Sequence, residues 1–409
     1  MRVLVLSQYF WPESFRVNDL VQALRERGHD ITVLTGLPNY PGGRLFEGYS
    51  WWRKRHDRFS DISVFRVPIF LRRQGKGWQL ALNYVSFVVS ACLLAPWLLR
   101  DRKIDVIFVF APSPFTVGIP AVLLRVLKRA PMLFWVQDLW PESLEVAGIV
   151  RTPAILKSVG AMVRWVYRRC DLVLLQSLGF TEPAISAGAI PERIRYFPNW
   201  AESFYQPQSF SPEFVGNLPS GFRLMFAGNL GEAQSLGTVL DAAESLRDER
   251  SIQWLIVGDG RRSEWLCQQI VKRGLGQSVH LLGSYPPEQM PVFFAAADAL
   301  LVTLKRAPIF ASTIPSKLQT YLACGRPILG ALDGEGARII KESGVGYAAP
   351  AEDGEQLASA VLRLFRLNAA ERQQMGRQGR IYYERHFARE RLIDDLETWF
   401  AQAVREQAR

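Results

Sequence analysis

Short apolar runs of strand length alternate with amphipathic stretches of helical period, and the whole pattern occurs twice along the chain. The first series opens with RVLVLS (2–7), an amphipathic helix from Val17 to Arg27 ended by Gly28-His29, and ITVLTG (31–36). After loop residues 37–61 it continues with IDVIFVFAP (104–112), PMLFWVQDLW (131–140), a helix near 153–169 and DLVLLQS (171–177). RIRYFPNWAESFY (193–205) reads as a strand followed by a linker. The second series runs through FRLMFAGNLG (222–231), helix 235–247, IQWLIVGDG (252–260), helix 262–274, VHLLGSY (279–285), helix 287–296 and DALLVTL (298–304). A strand at 327–331, a helix at 335–343 and further helices follow, the last a charged amphipathic one at about 389–405. Strands alternating with helices build parallel sheets covered on both faces. The expected fold class is therefore α/β, with two doubly wound Rossmann-like domains joined near residue 205. Domain 1–204 would be followed by domain 205–385 and a helix, 386–409, crossing back to the first. A ligand is expected in the cleft between the carboxyl ends of the two sets of strands.

A chain of 409 residues is long enough for two or three domains, and 48% hydrophobic with 22% charged residues excludes a disordered chain. Its charge is uneven. Residues 1–200 hold 26 Lys and Arg against 15 Asp and Glu, whereas residues 201–409 hold 23 against 24. An excess confined to the N-terminal half points to an acidic partner there, such as phospholipid, a lipid phosphate or nucleic acid. The basic residues do not interleave with a recognised reading module, which disfavours nucleic acid. Four cysteines without a CxxC pair fit a reduced compartment, and four scattered histidines suggest no metal site. MRVLVLSQYF runs straight into a strand, so no signal peptide is expected.

Trp78 to Leu99 is a nearly uncharged run of about 22 residues. It contains Gln79, Asn83, Ser86, Ser90 and Pro96 and stands between two strands of one expected sheet. It reads first as a core helix, next as a helix lying in a membrane interface, and last as a span. Just upstream, Arg53, Lys54, Arg55, Arg58, Arg66, Arg72, Arg73 and Lys76 stand against only Asp57 and Asp61. That run is either a solvated loop or, with Trp51 and Trp52, part of a membrane-docking region spanning about 51–99.

Ile314-Pro315-Ser316-Lys317 opens a short helix, with Ser312 and Thr313 as candidate caps. Leu318, Tyr321 and Leu322 make its buried stripe, and Gly325 and Pro327 end it. Ser316, Lys317, Gln319 and Thr320 remain on the polar face. A helix N-terminus with a hydroxyl and a lysine suits a diphosphate, although an ordinary βαβ helix start looks the same. Gly228-Asn229-Leu230-Gly231 and Gly258-Asp259-Gly260, the latter followed by Arg261, are glycine turns after strands. No G-x-G-x-x-G, G-x-S-x-G, Walker A, H-E-x-x-H or D-x-D motif is present.

SQYFWPE, LVQALRERGHDITVLTGLPNYPGG, VQDLWPESL, YFPNW, FAGNLGEAQ, LIVGDG, VHLLGSYPPEQMPVFFAAADALLVTL and PSKLQTYLACGRPI occur in that order. Together they resemble the retaining GT-B glycosyltransferases of family 4 over almost the whole chain, and most of all bacterial L-fucosamine or fucose transferases of O-antigen, capsule and colanic-acid assembly. The resemblance implies a metal-independent enzyme with no cofactor, using a UDP-sugar donor held by the C-terminal domain. N-acetyl-L-fucosamine is the first expected sugar, with GDP-L-fucose the next donor. It implies an acceptor glycan linked to a polyprenyl diphosphate, held by the N-terminal domain, and a peripheral place on the cytoplasmic face of the inner membrane. Carried over, Gly228, Asn229, Gly231 and Gln234 lie by the diphosphate. Gly258 and Gly260 lie near the base, with Leu282 in the segment Val279–Gly283 whose backbone contacts it. Ser316 and Lys317 take the phosphate and Thr320 the ribose side, while Glu13, Ser14, Arg16 and Asp138 face the acceptor. Asp138, Lys317 and Glu13 are the candidate catalytic groups, although Asp138 and Glu13 could equally cap turns or helices.

Members of that family often carry two glutamates eight residues apart before this helix; here those positions are Ser312 and Thr320. Asn229 and Gln234 stand where many members place Arg and Lys. The diphosphate charge would then fall to Lys317 with Arg261 or Arg306. Two alternatives remain at this level: a UDP-sugar epimerase on the same scaffold, and a non-catalytic partner subunit.

Overall fold

A computed structural model describes residues 1–51, 55–73, 75, 77–146, 152–210 and 218–407. The chain divides into two compact units, Met1–Pro198 with Glu390–Arg409, and Asn199–Arg389.

Unit 1 is built on an 8-stranded sheet in the order β3-β4-β2-β1-β5-β6-β7-β8. Its strands are β1 (Arg2–Leu6), β2 (Asp30–Gly36), β3 (His56–Phe59), β4 (Ile62–Val67), β5 (Val106–Ala111), β6 (Met132–Val136), β7 (Leu172–Leu175) and β8 (Ile194–Tyr196). All neighbours are parallel except β3 and β4, which form an antiparallel hairpin at one edge. The central strands are apolar throughout because helices cover both faces. Those helices include α1 (Arg16–Glu26), α2 (Gly77–Leu98), α3 (Gly118–Lys128), α4 (Glu142–Val146), α5 (Pro153–Tyr167) and α6 (Thr181–Ser186).

The β3–β4 hairpin corrects the reading of residues 37–61 as loop alone. Its outer strand, His56-Asp57-Arg58-Phe59, is polar and half exposed, so it carries no apolar alternation to find. Arg66, counted among the basic residues of a solvated loop, is wholly buried on β4. It donates to the carbonyls of Trp11 (2.6 Å) and Gly36 (3.4 Å) and lies over the Tyr49 ring. Trp52, Arg53, Lys54 and Lys76 lie outside the described residues.

Unit 2 carries a 6-stranded parallel sheet in the order β11-β10-β9-β12-β13-β14. Its strands are β9 (Phe222–Ala227), β10 (Ile252–Val257), β11 (Val279–Gly283), β12 (Ala299–Thr303), β13 (Ile328–Ala331) and β14 (Gly346–Ala349). The chain starts at the centre, works to one edge, then returns to the centre and works to the other. This doubly wound order leaves a switch point between β9 and β12, at whose carboxyl ends ligands bind in such sheets. The covering helices are α7 (Leu236–Ser245), α8 (Ser263–Lys272), α9 (Met290–Ala296), α10 (Pro308–Ser312), α11 (Ser316–Ala323), α12 (Gly334–Ser343), α13 (Gly354–Phe365) and α14 (Ala369–His386).

The last helix, α15 (Arg389–Gln407), packs within unit 1. Leu392, Ile393, Leu396, Phe400 and Ala403 fall at helical spacing and are buried, with Phe400 edge-on to Phe108. Arg27 holds the opposite side through ion pairs to Glu390, Asp394 and Glu397, and His29 meets Glu397 at 2.7 Å.

Candidate active site

In unit 2 the turns after β9, β10 and β11 are tied into one surface at the carboxyl edge of the sheet. Gly228 N–H donates to Val257 O, Leu230 N–H to Asp259 O, and Gly258 N–H to Gly283 O. Gly258 has φ +139°, and a Cβ there would stand 1.9 Å from Gly228 O. At Gly260 a Cβ would meet Asn229 Oδ1 and Leu230 O, both at 2.6 Å. Only glycine lets these turns approach so closely.

Lys317 crosses this surface. A Cβ at Gly228, which has φ +126°, would lie 2.7 Å from Lys317 Cε. The ammonium donates to Gln234 Oε1 and lies 3.7 Å from the centroid of the Phe226 ring. Among the described residues no carboxylate pairs with it. Burial pushes its pKa down to about 7. A cation held without a counter-ion in a cradle of glycine turns is a receptor for an anion.

Lys317 stands in the first turn of α11, whose leading N–H groups have no acceptors inside the helix. The N-cap residue is Pro315. Ser312 and Thr313 do not cap this helix: their hydroxyls donate to Pro308 O (3.0 Å) and Ile309 O (2.7 Å) of α10. Ser316 is exposed, and Thr320 donates its hydroxyl to Ser316 O. Gly325 ends the helix in the left-handed region, at φ +64°.

The structure thus gathers Gly228, Asn229, Gly231, Gln234, Gly258, Gly260 and Lys317. Leu282 is beside Gly283 on the outer strand β11. The two proposed helper cations fare differently. Arg261 is exposed beside the Gly260 turn. The side chain of Arg306 is directed instead to Ala351 O (2.7 Å) and stands 3.9 Å from Asp333, while its N–H donates to Glu352. Arg262 and Lys305, their sequence neighbours, were not among the proposed helpers and converge on Glu232 at 3.0 and 2.9 Å.

In unit 1 the loops after β1, β5 and β6 form the corresponding edge. Asp138 follows β6. Burial raises its pKa to about 7. No hydrogen bond reaches its carboxylate among the described residues, so it caps no turn. Tyr84, from α2, is close enough to Asp138 and Arg72 to feel their charges, and burial raises its pKa. The Arg72 guanidinium lies 4.9 Å from the Tyr40 ring centroid and 5.9 Å from that of Tyr9. Sequence reasoning named none of Tyr9, Tyr84 or Arg72 as a site residue. Arg72 was visible only as one of a basic run, and Tyr84 only inside an apolar one.

Glu13 is 2% exposed, and backbone N–H groups hold both its oxygens. Asn39 and Tyr40 donate to Oε1 at 2.7 Å each and Phe10 to Oε2 at 3.2 Å. Burial raises its pKa to about 7 against the pull of these amides. Glu13 therefore fixes the β1 loop against the β2 loop, as a positioning residue, and does not cap α1, whose N-cap is Phe15. Ser14 is exposed next to it and Arg16 opens α1. Among the described residues no three His, Cys, Asp or Glu lie together as a metal site.

Residues 221–366 match the family Glycosyl transferases group 1, and residues 14–200 match the Glycosyl transferase 4-like domain. WcaI of Escherichia coli (strain K12), named as a glycosyl transferase of colanic acid biosynthesis, is 30% identical over 341 residues, 80% of this chain and 82% of WcaI. The chain belongs to the group 1 glycosyltransferases. This glycosyltransferase is also 27% identical over 315 residues to WbjE of Pseudomonas aeruginosa, named as a glycosyltransferase, covering 74% of this chain and 75% of WbjE. Two solved structures share its fold over 98% of its length. Anabaena Alr3699/HepE in complex with UDP has TM-score 0.70 at 16% identity and is covered over 100% of its chain. Sucrose-phosphate synthase from Thermosynechococcus elongatus has TM-score 0.73 at 16% identity and is covered over 98%. At that identity they establish the fold, GT-B, alone.

Proposed function

We propose that this glycosyltransferase moves a sugar, with retention at the anomeric carbon, from a UDP-sugar to a polyprenyl-diphosphate-linked oligosaccharide of a bacterial surface polysaccharide. N-acetyl-L-fucosamine is the first donor sugar to test. The observation that carries the reading is Lys317, a cation without a counter-ion over glycine turns at the switch point of unit 2. The UDP complex of the Anabaena neighbour and the colanic-acid name of WcaI support the donor class and the product class.

The step needs no protein nucleophile. The bond between the anomeric carbon and the leaving phosphate oxygen breaks while the acceptor hydroxyl oxygen bonds to that carbon from the same face. The hydroxyl proton passes to the leaving phosphate. Negative charge grows on that phosphate as the bond breaks, and Lys317 with the N–H groups of α11 stabilises it. Lys317 supplies a positive charge that a metal would otherwise bring, so the reaction is metal-independent. Asp138 orients the acceptor hydroxyl or shares its proton, and Tyr9, Tyr84 and Arg72 line the same edge.

The glycosyltransferase works on the cytoplasmic face of the inner membrane, docked through α2. One face of α2 is buried through Leu80, Phe87, Ala91 and Ala95, with Asn83 bonded to Gln8 (2.7 Å) and Phe70 O (2.5 Å). Its other face bares Trp78, Leu82, Val85, Val89, Leu93 and Trp97 in one stripe, Leu93 72% and Trp97 60% exposed. Arg100 lies over Trp97 at one end, and Arg73 over Phe70, beside Trp78, at the other. An apolar stripe with tryptophan and arginine at both ends suits an anionic lipid surface. A panel of UDP- and GDP-sugars with a lipid-linked oligosaccharide acceptor tests the reading. Transfer from UDP-N-acetyl-L-fucosamine supports it; turnover with GDP-sugars only, or none with any, overturns the donor assignment.

A further inference from the structure

The edge of unit 2 opposite Lys317 carries a second site that the transfer reaction does not use. A groove of about 700 Å³ opens at the amino ends of β12 and β13. Pro207, Gln208, Cys324, Gly325 and Pro327 form part of its wall, and α14 forms another part. Four guanidinium groups line it, from Arg326, Arg372, Arg377 and Arg380, against one carboxylate, Asp298.

That carboxylate is already engaged: Oδ2 accepts the Arg223 N–H at 2.9 Å, and Oδ1 lies 3.4 Å from Arg372. Arg326 donates to Ala295 O and Arg377 to Gln374 Oε1; neither forms an ion pair among the described residues. Arg380 reaches Ala323 O (2.6 Å) and Glu384 (2.7 Å), the latter an exposed partner on its own helix. Each guanidinium has five N–H donors, so all four keep donors to spare. Burial lowers the pKa of Arg326, so its charge is already costly there. A concave site with two guanidinium groups outside any ion pair among the described residues, Arg326 and Arg377, and forked donors to spare on all four matches phosphate oxygens. Its volume falls in the range of small-ligand sites, roughly 300–1,000 Å³.

We propose that this groove binds a soluble phosphate-bearing anion, separately from the donor site. The sites lie at opposite ends of one parallel sheet: Asp298 stands one residue before β12 and Arg326 two before β13, whereas Gly228 and Gly258 follow β9 and β10. The inference is independent of which sugar is transferred.

The test titrates inorganic pyrophosphate into the full chain at low salt, following heat and melting temperature, because exposed guanidinium groups are screened as salt rises. It is done in the Lys317→Ala background so that groove binding dominates the signal. Binding is expected to weaken about tenfold in Arg377→Gln and about a hundredfold in Arg372→Gln/Arg377→Gln, each guanidinium supplying one charged contact. The rise in melting temperature with pyrophosphate should fall in the same order. Among the described residues Arg377 is exposed and hydrogen-bonds only to Gln374 on its own helix, so its substitution should leave the fold intact even if the double variant melts early. Pyrophosphate binding equal to the parent in Arg377→Gln, or no binding to the Lys317→Ala parent, overturns the proposal.

Discussion

Lys317 is a cation in a place that penalises cations, and a bound diphosphate would relieve that penalty. With its pKa lowered to about 7 by burial, the free protein holds it partly neutral at pH 7. A diphosphate raises that pKa, so the resulting affinity is full below about pH 7 and declines as pH rises through the free value. Asp138, raised to about 7, gains its charge over the same range. The profile of kcat/KM against pH is therefore expected to be a narrow bell centred near 7. Asp138→Asn should flatten its acid limb, and Lys317→Arg should move its alkaline limb upward. A profile unchanged in both variants would remove these groups from the titration. Lys317 was legible in the sequence because it follows a helix-opening proline. The family resemblance grouped it with Gly228 and Gln234 at the diphosphate, but its direct contacts with them were not legible, since only the folded sheet edge brings them together. Glu13 shows the opposite limit: an acidic residue in a suggestive loop proved to be saturated by backbone amides.

At the scale of elements, the glycine turns and α2 carry the expectations. Gly258→Ala places a methyl group 1.9 Å from Gly228 O at a φ of +139°. Chemical denaturation should show a loss of at least about 2 kcal/mol, with UDP binding reduced as the turns separate. On α2, Val89→Glu with Leu93→Glu puts two charges at the middle of the bare stripe. Flotation with anionic liposomes should be lost while the melting temperature stays within about 2 °C, because both side chains are exposed. Flotation equal to wild type would mean that the stripe faces something else. Periodicity exposed most of the strands and α2 itself, because central strands and an uncharged helix are apolar enough to be read directly. It could not divide α2 into a held face and a bare one. Gln79 and Asn83 belong to the held face, buried beside Leu80, Phe87, Ala91 and Ala95, and Asn83 adds polar partners to that apolar packing. The β3–β4 hairpin was hidden for the same reason, its outer strand being polar and its inner one carrying the buried Arg66.

Considered as a whole molecule, the chain spends its last helix on the unit that it began with. Leu392, Ile393, Leu396 and Phe400 are all buried, and burying such side chains stabilises by roughly 1.5–3 kcal/mol each. Their sum is comparable with the roughly 5–15 kcal/mol that stabilises an ordinary domain. Removing Glu390–Arg409 should therefore leave unit 1 unable to hold its fold, seen as loss of its melting transition and of soluble yield; an unchanged transition would show α15 to be dispensable. Acceptor chemistry would fail with it, while UDP binding assigned to unit 2 should persist. The most direct measurement is calorimetric titration of UDP into the full chain and into Lys317→Ala. The expected result is a tightest site in the wild type whose affinity falls at least tenfold in the variant, with little change in melting temperature. Equal affinity in the two proteins would contradict the assignment of the donor diphosphate to Lys317.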